Sequence, residues 1–224
     1  MERESFFNVL SILNMMTGLR ERREGLGLSQ AELARAAGIS RTAMSLIENR
    51  RLHPSVGTLQ ALERALDPFA DPTFLLYGGG ALEAAELVRG VGERTGLVYA
   101  LTLDVAAWVL TRYQTPATAW VYVRPREKWL DALRGRGARR PLPAERANLV
   151  LLRAPDEVLR GADFVGGLDL VSKSRLLRDC ARLGGRHALD GARLFVEYPE
   201  ARRPGLRLDA DAMLKVFEEV GPWT

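Results

Sequence analysis

The chain has 224 residues, 47% apolar and 27% charged, with a formal net charge of +4, the composition of a globular protein of one large or two ordinary domains. No apolar run approaches the roughly 20 residues of a membrane span, and MERESFFNVL at the start mixes charge into its apolar residues without a cleavage signature, so a cytoplasmic location is expected. Cys180 is the only cysteine and His53 and His187 stand far apart, which rules out an internal disulfide and makes a poor metal set; no metal and no cofactor is expected.

From the N-terminus, Phe6, Phe7, Leu10, Leu13, Met15 and Met16 recur at helical spacing, with a charged face from Arg20 to Glu24. Gly25 and Gly27 stop that helix. Ser29 with Glu32 three residues on has the form of a capping box, Ser40 and Ser55 each open a further helix, and Pro72 suits the first turn of a last short one over 71–77. The glycines at 78–80 read as a joint, because three in a row impose no geometry. The expected organisation is therefore an all-α, five-helix first domain over 1–77, a glycine linker over 78–81 and an α+β domain over 82–224.

Beyond the joint, helices are predicted over 81–91 and 103–113. ATAWVYV at 117–123 and ANLVLLR at 147–153 read as strands. PREKWLDALR returns to helix, DFVGGLDLVS is strand broken by a Gly-Gly turn, and SKSRLLRDCARLGG and DADAMLKVFEEV are helical.

The segment from 28 to 51 is LSQAELARAAGISRTAMSLIENRR. Leu33, Ala34, Ile39, Met44 and Ile47 are its apolar positions. Ala34 is small where two helices must cross closely, and Gly38 sits where the intervening turn needs a positive φ. The pattern resembles the phage-repressor, or XRE-type, helix-turn-helix family from about Arg20 to Leu66, and implies a five-helix lambda-repressor-like DNA-binding fold. The second helix of such a unit, here 40–49, enters the major groove.

The resemblance implies roles position by position. Gln30 grips a phosphate and braces the reading helix. Ser40 caps that helix beside the base-reading positions Arg41, Thr42, Ser45 and Leu46. Asn49, Arg50 and Arg51 contact the DNA backbone, with arginine at 50 where the family very often has glycine. Arg41 suits the O6 and N7 of a guanine and Thr42 a thymine methyl. Arg23 and Glu48 match a buried ion pair tying the first helix to the reading helix. A sequence-specific transcriptional regulator, a repressor working as a homodimer on double-stranded DNA, is the expectation, with Phe69, Phe74, Leu75 and Leu76, or else the second domain, as candidates for the pairing surface.

The second domain is less explicit. The order TLDVAAWVLTRY, WVYVRP, LVLLRAPDE, GLDLVSKSRLLRDCARLGG resembles the C-terminal domain of AbiEi-type antitoxins of type IV toxin–antitoxin systems, which implies an autoregulator whose second domain binds a toxin. A ligand sensor is an alternative, with Trp108, Trp120, Trp129, Tyr99, Tyr113 and Tyr122 around an effector, and so is a plain protein-binding module. Catalysis is not expected: GGLDLVS offers Asp169 without the second carboxylate a nucleotidyltransferase needs, and Gly78–Gly80 lack the lysine and hydroxyl of a phosphate loop.

Charge is locally concentrated. Residues 1–77 carry nine basic and nine acidic side chains, whereas 124–146 carry eight basic (Arg124, Arg126, Lys128, Arg134, Arg136, Arg139, Arg140, Arg146) against three acidic. Its core, RGRGARRPLPAER at 134–146, contains Gly135, Gly137, Pro141 and Pro143 and is predicted as a loop. Arg134, Arg136, Arg139 and Arg140 are candidates for an accessory contact to DNA backbone or an acidic partner, beside the bland reading of a solvated loop.

Overall fold

The computed structural model describes residues 18–25, 28–125, 127–154, 156–202 and 206–220; the helix expected around Phe6–Met16, and Arg126, lie outside them. The chain forms two compact units, one of residues 1–72 with 153–155, the other of 73–152 with 156–224.

The first unit is helical: α1 (Leu19–Gly25), α2 (Gln30–Ala36), α3 (Arg41–Glu48) and α4 (Val56–Ala65). Each of the last three begins where a serine in extended conformation accepts an otherwise orphaned N–H. Ser29 accepts from Glu32, whose carboxylate bonds back to the Ser29 N–H; Ser40 accepts from Ala43, and Ser55 from Thr58. Leu19, Leu33, Ala34, Met44, Ile47, Leu62 and Leu66 make the core, with Leu28 and Ile39 packed against it. Leu33, Ala34, Ile39, Met44 and Ile47 among them are the apolar positions of the sequence pattern.

The second unit is mixed. Its elements are β1 (Thr73–Leu75), α5 (Ala81–Thr95), β2 (Tyr99–Thr102), α6 (Leu103–Thr111), β3 (Ala119–Val123), α7 (Trp129–Arg134), β4 (Leu149–Arg153), α8 (Asp156–Arg160), β5 (Asp163–Val165), β6 (Leu168–Leu170), α9 (Lys173–Leu183), α10 (Arg186–Glu197), a 3-10 turn (Pro199–Ala201) and α11 (Ala210–Val220). The strands form one sheet in the order β1-β4-β3-β2-β6-β5. Pairs β1/β4, β2/β3 and β5/β6 are antiparallel, and β2/β6 is parallel with Leu101 opposite Leu170. Gly166 and Gly167, both at positive φ, make the two-residue turn between β5 and β6. α10 packs against α6, α9 and α11, and Gly191 allows the close approach to α9, since a Cβ there would stand 3.1 Å from that of Cys180.

Two expectations change. Residues 71–77 are not a helix: Thr73, Phe74 and Leu75 pair with Leu151, Val150 and Leu149, and Leu76 pairs with Arg139. The first unit thus has four helices among the described residues. Leu75 is fully buried in the second unit, which removes it from the candidate pairing surface, while Phe74 stays 48% exposed. The glycines read as a joint lie inside the second unit, held by the buried Asn148. Its Oδ1 accepts from the Tyr77 N–H at 2.9 Å, and its Nδ2 donates to the carbonyls of Tyr77 and Gly79, both at 2.9 Å. The aromatic side chains do not converge on one cavity either. Tyr99, Tyr122 and Trp129 are core, Trp108 carries the Arg112 guanidinium, and Tyr113 donates to Glu219.

Asn148→Ala leaves the 77–80 backbone groups without their partner and should destabilise the second unit by about 2–4 kcal/mol. Asn148→Asp should cost more, because a carboxylate oxygen would face the carbonyls of Tyr77 and Gly79. Tryptophan fluorescence during urea unfolding checks both, since every tryptophan follows residue 107. Two variants as stable as the parent would show that the glycines are held by something else.

Candidate nucleic-acid interface

The outer face of α3 follows from how that helix is fixed at both ends. Gly38, at φ +68, turns the chain between α2 and α3, and its missing Cβ leaves that region free of strain. The nearly inaccessible Ala34 lets the two helices pack closely. Met44 and Ile47 face inward. Arg41, Thr42, Ser45, Leu46 and Asn49, at helical spacing, therefore face the other way: Arg41, Thr42, Leu46 and Asn49 are exposed and Ser45 is half-buried.

The C-terminal end is equally defined. Asn49 caps α3, its Nδ2 donating to the Ser45 carbonyl at 2.9 Å. Arg50 then takes φ +58, a left-handed conformation in which most side chains are strained. The N–H groups of Arg51 and Leu52 turn back to the Leu46 carbonyl at 2.8 and 3.2 Å. The backbone thus adopts a glycine's conformation with an arginine in it, which places the exposed side chains of Arg50 and Arg51 just past the helix end.

Beneath this surface lies a buried polar hub. The Glu48 side chain has no solvent exposure and that of Arg23 only 8%. Glu48 Oε1 accepts from Arg23 Nε at 2.6 Å; Oε2 accepts from Gln30 Nε2 at 2.8 Å and from Arg23 Nη2 at 3.3 Å, with Arg20 Nε at 3.7 Å. Arg23 also donates to the Leu28 carbonyl at 2.7 Å and to Glu24 at 2.9 Å. One carboxylate thereby ties α1, the loop at Leu28 and the start of α2 to the end of α3. Burial alone would raise the Glu48 carboxyl, but the hydrogen bonds from Arg23 and Gln30 outweigh it and hold it below the ordinary range. Arg23 is held above its ordinary value, chiefly by its hydrogen bonds to Glu48.

Gln30 is thus engaged with the end of α3, and Ser40 is engaged in the α3 cap. Sequence reasoning did not find Arg20 at the hub or the Arg22–Glu63 pair, 2.9 Å, that links α1 to α4. Both join helices distant in sequence, and neither spacing carries a signal.

The basic stretch is arranged less uniformly than its composition suggests. Arg139 is bound bidentately by Glu145, both contacts 2.6 Å, and that hydrogen bond together with one from the Leu142 N–H pushes the Glu145 carboxyl down to about 2. Arg134, Arg136 and Arg140 are exposed.

The helix-turn-helix family model matches residues 19–69. This segment is a helix-turn-helix. No curated protein and no solved structure matches the chain. The helix-turn-helix is a DNA-binding domain of the kind transcriptional regulators carry, and its match covers the four helices and the hub just described. No helix among the described residues is long and apolar enough to cross a membrane.

Two outcomes follow for the helix-turn-helix. Glu48→Gln leaves the buried Arg23 guanidinium with only the exposed Glu24 as counter-charge and should destabilise the domain by about 3–5 kcal/mol, against a much smaller loss in Arg23→Met/Glu48→Leu. Because the Glu48 carboxyl is lowered, its contribution is complete above the unfolded value of about 4.3 and is lost as the pH falls through its folded value. Arg50→Gly relieves the left-handed strain and, after the extra chain entropy of glycine, should stabilise by about 0.5–1 kcal/mol. Amide hydrogen exchange of residues 30–66, compared at pH 7 and below pH 4, reads all three.

Proposed function

We propose that the chain is a transcriptional repressor that inserts α3 into the major groove, acting as a homodimer on an inverted repeat. The observation that carries the reading is the outward row Arg41, Thr42, Ser45 and Leu46 on a helix whose far end is locked by the Glu48 hub. Side chains that read base edges must be held in a fixed frame, because hydrogen bonding to a base edge discriminates only when donor and acceptor are aligned. Gln30 and Ser40 flank this row at the two helix N-termini, and Asn49, Arg50 and Arg51 supply the backbone contacts. A single helix-turn-helix spans few base pairs, so two heads on half-sites about 10 bp apart are needed for genomic selectivity. The reading is of a regulator without catalysis.

For the second unit, the exposed edge of the sheet favours a protein partner over a small effector. β5 is an edge strand, and Phe164 on it is 75% exposed; exposed apolar groups on an unpaired edge are a ready surface for another chain. This supports an antitoxin-like autoregulator as the second reading. Arg134, Arg136 and Arg140 are available to an acidic partner or to DNA backbone, whereas Arg139 is already neutralised by Glu145.

Binding to cognate and scrambled duplexes over a salt series tests the assignment. Arg41→Ala should cost about 1–3 kcal/mol on the cognate site and relax preference at one base pair. Arg51→Ala should weaken both duplexes alike and reduce the salt slope by about one. Equal weakening of both duplexes by Arg41→Ala would remove Arg41 from base reading. Arg50→Gly should bind more weakly to both duplexes while being the more stable protein, the signature of an arginine kept in a glycine's position for its charge.

A further inference from the structure

Asp104 near the start of α6 and His187 and Asp190 on α10 are distant in sequence but meet inside the second unit. Each offers one ligand atom, and these atoms lie within 4.8 Å of one another. Asp104 is 2% exposed and Asp190 1%. Three side-chain atoms there, Asp104 Oδ1, His187 Nδ1 and Asp190 Oδ1, are buried and make no hydrogen bond. Asp104 Oδ1 and His187 Nδ1 nevertheless form a close polar contact at 2.9 Å, so Asp190 Oδ1 is the one of the three left with no partner. An unpaired buried oxygen such as Asp190 Oδ1 is costly, and two carboxylates and an imidazole whose ligand atoms converge form the donor set of a cation.

We propose that Asp104, His187 and Asp190 bind a divalent transition-metal ion, Zn²⁺ being the best match to one imidazole nitrogen and two carboxylate oxygens.

The surroundings are those of an outer shell. The second oxygen of Asp104 accepts the backbone N–H groups of Ala117 and Thr118 at 3.0 and 3.1 Å, which aims Oδ1 inward. Gln114 hydrogen-bonds the Asp190 carboxylate, and its Nε2 also donates to the Arg186 carbonyl at 3.0 Å. Such partners orient ligating carboxylates and fix their position before the ion arrives. Arg186 Nη1 lies 3.9 Å from Asp104 Oδ2, the oxygen turned away from His187, and the guanidinium is 41% exposed, so it offsets the negative charge only in part. Burial, with repulsion from Asp104, pushes the Asp190 carboxyl up to about 6; a cation reverses that balance. The partly exposed His187 and Arg186 mark the side from which an ion would enter.

The test uses the full chain, stripped with a chelator and titrated with Zn²⁺ alone by calorimetry, with Mn²⁺ and Mg²⁺ as comparisons. The parent should bind one Zn²⁺ per chain at this site, and Asp190→Asn and His187→Gln should each weaken that binding at least tenfold. Cobalt substitution of the parent provides a measurement that does not depend on the variants folding. Visible d–d bands of a low-symmetry site should appear at one equivalent, with quenching of Trp120, which stands edge-on to His187 at 6.2 Å. If the parent binds no Zn²⁺ and gives no cobalt spectrum, or if both variants bind as it does, the cluster is a polar brace between α6 and α10 and the proposal fails.

Discussion

The Glu48 carboxylate is the constraint on which the reading surface depends. It sits at the end of α3, entirely out of solvent, and both helices that precede α3 reach it. Arg23 arrives from α1 and carries the Leu28 carbonyl with it, while Gln30 arrives from the first residue of α2. The attraction between such buried charges is largely offset by the loss of hydration, so the net stability is smaller than the geometry suggests. What the arrangement supplies is direction. A guanidinium has fixed donor angles, and a carboxylate satisfied by Arg23 and Gln30 at once admits few orientations of α3.

The second unit has its own fixed point where β2 becomes α6. Thr102 ends the strand, and Leu103 begins the helix with no residue between them. The turn is taken by Leu103 itself at φ +52, fully buried. A bulky residue in that conformation costs about 1–2 kcal/mol, which surrounding structure must offset. Polar groups on either side do so. Thr102 Oγ1 donates to Asp179 at 2.8 Å, and Asp179 also accepts from Tyr122 and Arg175. Asp104 accepts two backbone N–H groups from the loop ahead of β3. The strained leucine is thus flanked by one polar link to α9 and another to the loop before β3, so that one turn sets the relation of sheet and helices.

How much of this was legible depended on the range of the interaction. The serine caps, the Gly38 and Gly166–Gly167 turns, and the apolar face made of Leu33, Ala34, Met44 and Ile47 are local patterns, read within a few residues. Residues 71–77 were misread for the opposite reason. Asp71-Pro72 has the form of a helix start, but Phe74 and Leu75 find Val150 and Leu149, and pairing with a distant strand overrides local preference. β2 was hidden because no turn residue separates it from α6. α10 was hidden by Gly191 in its middle, a residue that weakens a helical reading yet is needed for the approach to Cys180. Of the interface, Arg41 to Arg51 was visible as a pattern, whereas Arg20 at the hub was not.

Two of the buried acidic centres, Glu48 and the Asp104–Asp190 pair, differ in a way that bears on their purposes. Glu48 has both oxygens engaged by side-chain donors, so nothing further is needed to stabilise its charge, and a ligand would have no free atom to bind. Asp104 and Asp190 each have one oxygen satisfied by the protein, while Asp104 Oδ1 has only the 2.9 Å contact to His187 Nδ1 and Asp190 Oδ1 has no partner. A purely structural brace would be expected to give Asp190 Oδ1 a partner, because an unpaired buried oxygen costs about 1–3 kcal/mol. The partners of Asp104 Oδ2 and of the Asp190 carboxylate act against that pairing, since they hold the other oxygens in place. A fully paired carboxylate fixes geometry, while a half-paired set held open by its neighbours is arranged for something that enters it.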